Sequence, residues 1–131
     1  PIMMRLKSSL VDLVEAGLKG NLPSHADWDS RPSIGIVLAA GGYPAEIQTG
    51  DVISGLDYVN ESSKVFHAGT TQKDGNTITS GGRVLCVTAI GDTVLEAQQK
   101  ALAHIQKISF DGMQYRRDIG YRAIAREQAA K

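Results

Sequence analysis

Arg83-Val-Leu-Cys-Val-Thr-Ala-Ile90, followed after Gly91-Asp92 by Thr93-Val-Leu-Glu96, is the stretch on which the fold turns. Its first part is a run of β-branched and apolar residues suited to a strand. Its second part is a capping box, Thr93-x-x-Glu96, which opens a helix. Val94, Ala97, Ala101, Ile105 and Ile108 then step by 3, 4, 4 and 3, so the spacing predicts a helix over about residues 93–108 with one apolar face. A helix following directly on one of several short strands makes the fold class α+β.

Working outward, Val65-Phe66-His67-Ala68 and Thr77-Ile78-Thr79 read as further strands. They are separated by Gln72-Lys-Asp-Gly-Asn76 and by Ser80-Gly81-Gly82, and the local evidence predicts an antiparallel meander. Ile34-Gly-Ile-Val-Leu-Ala-Ala40, bounded by Pro32 and Gly41-Gly42, predicts a strand buried on both faces. The chain has 14 glycines in 131 residues, above the usual share of about 7%, and most lie in its middle, where turns must be frequent and strands short.

The flanks read as helical. Leu10, Leu13, Val14 and Leu18 share one helical face, Ser9 stands three residues before Asp12 as a cap, and Gly20-Asn21 supplies the stop, which predicts a helix over about residues 8–19. Leu22 to Pro32 has two prolines and no apolar period, and reads as a linker. After a turn at Asp111-Gly112, the run Tyr115 to Arg126 can turn Ile119, Ala123 and Ile124 to a core while its arginines stay in water.

Fourteen basic residues balance fourteen acidic ones, so no net field draws the protein to nucleic acid or anionic lipid, and neither is expected as a partner. No stretch approaches the roughly 20 apolar residues of a membrane helix. The single cysteine, Cys86, excludes an internal disulfide, and no C-x-x-C pair exists, which fits a reducing, cytoplasmic setting. The chain opens Pro1-Ile2 without methionine, and we expect a piece of something longer or a processed product.

Cys86 lies inside an apolar run and reads as a small hydrophobe. His25, His67 and His104 have no ligand spacing, and no metal site is expected in this chain. Asp27 and Asp29, beside Trp28, read as turn residues. Two glycine turns carry more. Ser80-Gly81-Gly82-Arg83 sets a hydroxyl and a guanidinium beside bare backbone N–H groups, an arrangement that can hold an anion; a tight hairpin with a surface arginine is the alternative. Gly41-Gly42-Tyr43-Pro44 must leave the sheet at the end of an apolar strand. Arg5-x-Lys7-Ser8 precedes a helix start, where backbone donors favour an anion, or else it is a solvated charge pair.

These pieces occur in a recognisable order. Pro1 to Val11, Val37 to Pro44, Thr49 to Ile53, Val65 to Thr70, Thr79 to Ala89 and Tyr115 to Ile124 together closely resemble the C-terminal part of the glycinamide ribonucleotide synthetases, the phosphoribosylamine–glycine ligases of purine biosynthesis, which are ATP-grasp enzymes. Ser9 stands where the family usually has Asp, and Tyr121 where it usually has Trp.

The resemblance implies a ligase in which ATP converts glycine to an acyl phosphate that the amine of phosphoribosylamine attacks. It implies that residues 1–22 end the ATP-grasp domain, that 23–32 are a linker, and that 33–131 form a C-terminal domain. That domain is expected to be a small antiparallel β-sheet fold of the rudimentary barrel-sandwich-hybrid type with flanking helices. Mg-ATP, with Mg or Mn, is expected upstream of this chain, which alone should be inactive. Arg5, Lys7, Ser8, Gly41, Gly42, Tyr43, Pro44, Ser80, Gly81, Gly82 and Arg83 are the implied contacts to the substrate phosphate. A free-standing carrier or adaptor of hybrid-motif fold is the competing reading. It would need a modifiable lysine at a hairpin tip between small or methionine neighbours, a setting that Lys64 and Lys73 lack.

Overall fold

An apolar run such as 83–90 is best placed where both of its edges are paired. In the computed structural model, which describes residues 1–130, it is the central strand of a three-stranded antiparallel sheet. In chain order the elements are α1 (Ile2–Arg5), α2 (Leu10–Leu18), β1 (Ser33–Ala39), β2 (Ser63–His67), β3 (Thr70–Lys73), β4 (Asn76–Thr79), β5 (Arg83–Ile90), α3 (Val94–Ile105) and α4 (Tyr121–Ala129). The sheet order is β1-β5-β2, and β3 and β4 form a separate two-stranded sheet. The meander expected from the sequence is therefore replaced by an order in which β5 inserts between β1 and β2. Burial decides it, since Val84, Leu85, Val87, Thr88 and Ala89 are all fully buried.

Register makes the core. Ile34, Ile36 and Leu38 stand opposite Ala89, Val87 and Leu85 on one face of the sheet. Against the sheet packs α3, whose Ala97, Ala101 and Ile105 are fully buried, with Ile108 and Phe110 closing the cluster. Each large side chain so buried contributes roughly 1.5–3 kcal/mol. The opposite face of β1 is not fully buried as expected: Pro1 and Cys86 lie against Gly35 and leave it half-buried, and Val37 is exposed.

The capping expected at both helix starts is present. Ser9 Oγ accepts from the Asp12 N–H at 3.2 Å, and Thr93 Oγ1 accepts from the Glu96 N–H at 3.1 Å. Glu96 reaches one residue beyond the cap to accept from the Asp92 N–H at 2.7 Å, and Glu127 of α4 takes the Val94 N–H. Both helices are shorter than predicted, and residues 115–119 are not helical, so α4 begins only at Tyr121. Strand β3 was not anticipated. It pairs with β4 through a tight turn in which Asp74 and Gly75 both have positive φ, 49° and 78°, as a type I′ turn requires.

The segment read as a linker pairs back on the N-terminal residues. Leu6 bridges Trp28, and the Asp29 N–H donates to Arg5 O at 2.6 Å. By contrast α2 buries none of its residues, and Leu10, Val14 and Leu18 on its apolar face are exposed.

His104 on α3 is 3% exposed, with Nδ1 2.7 Å from Ser63 Oγ and its ring edge-to-face with Tyr58. Burial holds its pKa below its ordinary value, so below about pH 6.5 the unfolded state binds more protons at this site than the folded state. Stability is then fully present above that pH and is lost as the pH falls toward the lower folded value. Denaturant melts between about pH 7 and 5.5 should show this loss, and His104→Leu should flatten it; an unchanged slope in the variant would assign the effect to another group.

Candidate functional site

The partly covered face of β1 is the floor of a cleft of about 440 Å³ formed by Gly35, Val37 and Ala39. Its lining also includes Tyr43, Arg83, Gln114, Tyr115, Arg116 and Ile119. Ala39 organises it. On one edge of β1 it is opposite Arg83, at an irregularity in register after Leu38, and on the other edge it exchanges both backbone hydrogen bonds with Gln114, at 2.8 and 2.9 Å.

The structure brings the two glycine turns together. Gly41-Gly42-Tyr43-Pro44 folds tightly, with the Tyr43 N–H donating to Ala40 O at 3.2 Å and a cis Tyr43–Pro44 bond. Gly42 has φ 79°, and a Cβ there would lie 1.8 Å from Glu46 O, so only glycine fits. The Tyr43 ring lies on Gly82, where a Cβ would come within 2.6 Å of Cδ2. The Ala40 N–H donates to Gly82 O at 2.9 Å, locking one turn to the other. Beneath them Gly69 crosses the Ser80-Gly81-Gly82 backbone: the Ser80 N–H donates to Gly69 O and the Gly69 N–H to Arg83 O, both at 2.8 Å. The Ser80 N–H is thus engaged within the fold rather than left for a ligand. Among the described residues Arg83 makes no salt bridge, and its side chain also lines a neighbouring cleft with Gly69, Gly82 and Cys86.

The N-terminal basic set lies elsewhere. Neither cleft that Arg83 lines includes Arg5, Lys7 or Ser8. Arg5 Nε donates to Asp29 O at 3.0 Å, and Ser8 Oγ accepts from the Asp27 N–H at 2.8 Å. Asp29 itself is held by Arg31, whose hydrogen bonds keep the carboxyl well below the usual range. Cys86 is half-buried between Gly35 and Thr88, and each histidine has its own hydroxyl partner: His25 meets Ser24, His67 meets Thr70 and His104 meets Ser63. Lys73 does reach a hairpin tip, one residue before the Asp74-Gly75 turn, but between Gln72 and Asp74.

The wall from Gln114 to Arg116 was not read from the sequence as part of a site. The run Tyr115-Arg-Arg-Asp was visible as charge, but nothing local says that an irregular segment pairs with the edge of β1.

A family profile described as phosphoribosylglycinamide synthetase, C domain, matches residues 33–122, which include the whole cleft. The chain belongs to this family. Phosphoribosylamine–glycine ligases of Vibrio parahaemolyticus and Pseudomonas putida are 61% and 58% identical to it over 130 residues, 98% of the chain. The chain spans about 30% of the length of these curated relatives. The crystal structure of the Thermotoga maritima phosphoribosylamine–glycine ligase, 36% identical, superposes with a TM-score of 0.65 over 82% of this chain and 26% of that one. The small α+β fold with antiparallel sheets and flanking helices is similar to that structure.

A Cβ on Gly69 would stand 2.8 Å from both Arg83 O and Gly81 Cα, backbone atoms that have little room to move. Gly69→Ala should therefore cost about 1–3 kcal/mol by overpacking, read as a lower denaturation midpoint with an unchanged slope. A variant as stable as the parent would show that this crossing is looser than its geometry.

Proposed function

We propose that this chain is the C-terminal part of a phosphoribosylamine–glycine ligase, where it helps to bind phosphoribosylamine and to close the active site. In that reaction the γ-phosphate of ATP passes to the glycine carboxylate, giving glycyl phosphate and ADP. The amine of 5-phosphoribosylamine then attacks the acyl carbon and expels phosphate, leaving glycinamide ribonucleotide. The observation that carries this reading is the packing of the two glycine turns on each other, Tyr43 against Gly82, which brings Tyr43 and Arg83 to one cleft within the segment that matches the family.

The chemistry asks for such a part. An acyl phosphate hydrolyses unless water is excluded, which a domain packed over the site provides. The 5-phosphate of the amine substrate asks for a fixed cation, and a guanidinium offers a two-pronged fit. In this reading Gly41, Gly42, Tyr43, Pro44, Ser80, Gly81, Gly82 and Arg83 line the phosphoribosyl end. Arg5, Lys7 and Ser8 form a second contact set on the segment leading in from the ATP-grasp lobe.

The proposed division places residues 1–22 at the end of that lobe, 23–32 in a linker and 33–131 in the C-terminal domain. It is supported by the start of the family match at residue 33 and by the uncovered apolar face of α2, which the rest of the ligase would bury. The antiparallel sheets support a barrel-sandwich-hybrid relationship. This reading assigns Mg-ATP to the upstream lobe; among the described residues no group of three or more His, Cys, Asp or Glu side chains is placed to hold a metal ion. It also implies a cytoplasmic enzyme; no described helix is long and apolar enough to cross a membrane.

Titration of the isolated chain with Mg-ATP should give no saturable heat, since in this reading the ATP-grasp lobe lies upstream of it; micromolar binding would overturn the division. In the full-length ligase Arg83→Ala should lower phosphoribosylamine affinity or rate roughly ten- to a hundred-fold, the loss of a charge-assisted contact of about 1.5–3 kcal/mol. Arg83→Lys should recover part of that loss. Steady-state kinetics with each substrate varied checks this, and an effect confined to the ATP Michaelis constant would put the turn beside the wrong substrate.

A further inference from the structure

The cleft has a second wall, and each group on it is held from behind. Gln114 is fixed by its backbone pairing with Ala39, and its side-chain amide donates to Ala40 O at 3.2 Å. From α3, Gln98 Nε2 donates to the carbonyls of Arg117 and Ile119 at 3.2 and 2.7 Å, which pins the far end of the segment. The guanidinium of Arg117 lies 5.7 Å from the centre of the Tyr115 ring. Asp118 accepts from Arg116 at two points, Nε at 2.9 Å and Nη2 at 2.6 Å.

This last pair is solvent-exposed, and exposed ion pairs contribute little to folding. It does orient a long side chain in advance, so that less rotamer freedom is lost when a ligand binds. Asp118 itself does not line the cleft. The two charged residues that do are both cationic, Arg83 on one edge of β1 and Arg116 beyond the other, with apolar Val37 and Ala39 between them. Their strands are two spacings apart, about 10 Å, a gap that a phosphate carried on a sugar ring can bridge. Asp118 occupies one edge of the Arg116 fork and leaves the remaining donors free.

We propose that Arg116, held by Asp118, is a second cationic contact of this cleft, gripping the phosphate monoester of the bound substrate from the wall opposite Arg83. The proposal rests on the reading of the cleft as the phosphoribosylamine site. It assigns a binding role to a residue that the glycine turns alone do not indicate.

The test uses the full-length ligase with ribose 5-phosphate as a non-reacting competitor. Arg116→Gln is expected to raise both the KM for phosphoribosylamine and the inhibition constant of ribose 5-phosphate by about tenfold or more, with the KM for ATP and the melting temperature unchanged. Arg116→Lys should recover part of the loss. If Arg83→Gln weakens ribose 5-phosphate and Arg116→Gln does not, the second wall is not a contact, while the cleft reading stands. If Arg116→Gln alone weakens it, the second contact stands and the role proposed for Arg83 falls. If neither does, both fall, and a parallel rise in the ATP KM would likewise overturn the assignment.

Discussion

The pairing of β1 with β5 sets the core and the cleft at once, because side chains alternate across a strand. The register that sends Ile34, Ile36 and Leu38 inward against Ala89, Val87 and Leu85 also sends Gly35, Val37 and Ala39 outward. A slip of one residue would bury the cleft floor and expose the core together. That register is strongly specified, since α3 presents Ala97 and Ala101 to it and these small side chains let the helix approach closely. The geometry of the site is thus held by the burial of residues that never touch it.

Three of the segments around the cleft converge on the end of β1. Ala39 is opposite Arg83 and hydrogen-bonds Gln114, and Ala40 donates to Gly82 and accepts from the Gln114 amide. Three segments remote in sequence, 41–44, 80–83 and 114–116, are thereby fixed to two consecutive residues. The glycines make the convergence possible, since Gly42 takes a left-handed backbone and Gly82 leaves space for the Tyr43 ring. Side chains at these points would push the turns apart before any ligand arrived.

The N-terminal arm shows the opposite balance. It is tied to residues 27–29 by backbone pairing, yet the apolar face of α2 stays in water, with Leu18 85% exposed. An amphipathic pattern records that a face is meant to be covered, not what covers it. A chain that spans about 30% of its relatives' length leaves that face to the remainder of the ligase in the reading proposed above.

Local physics made part of this molecule legible from its residues alone. The caps at Ser9 and Thr93, the apolar period of α3 and the strand character of 34–40 and 83–90 depend on neighbours a few positions away, and the structure has them. The order of blocks along the chain also pointed to the family. What depends on distant residues was not legible. Strand order follows from which segment buries most, and β5 took the centre of the sheet where the local evidence suggested sequential pairing. Strand β3 was hidden because Thr70-Thr-Gln-Lys73 is polar and exposed; only the Asp74-Gly75 pair signalled the turn. Arg5 and the N–H groups of Lys7 and Ser8 looked like free donors before a helix, but the carbonyls of Asp29 and Asp27 accept from them from about twenty residues away. The Gln114 to Arg116 wall has no periodicity and owes its place to Ala39, 75 positions earlier in the chain than Gln114. Sequence determined the capped helices and the two long apolar strands; only the tertiary structure decided which elements meet and that the polar strand β3 forms, because burial and pairing are settled by the whole chain at once.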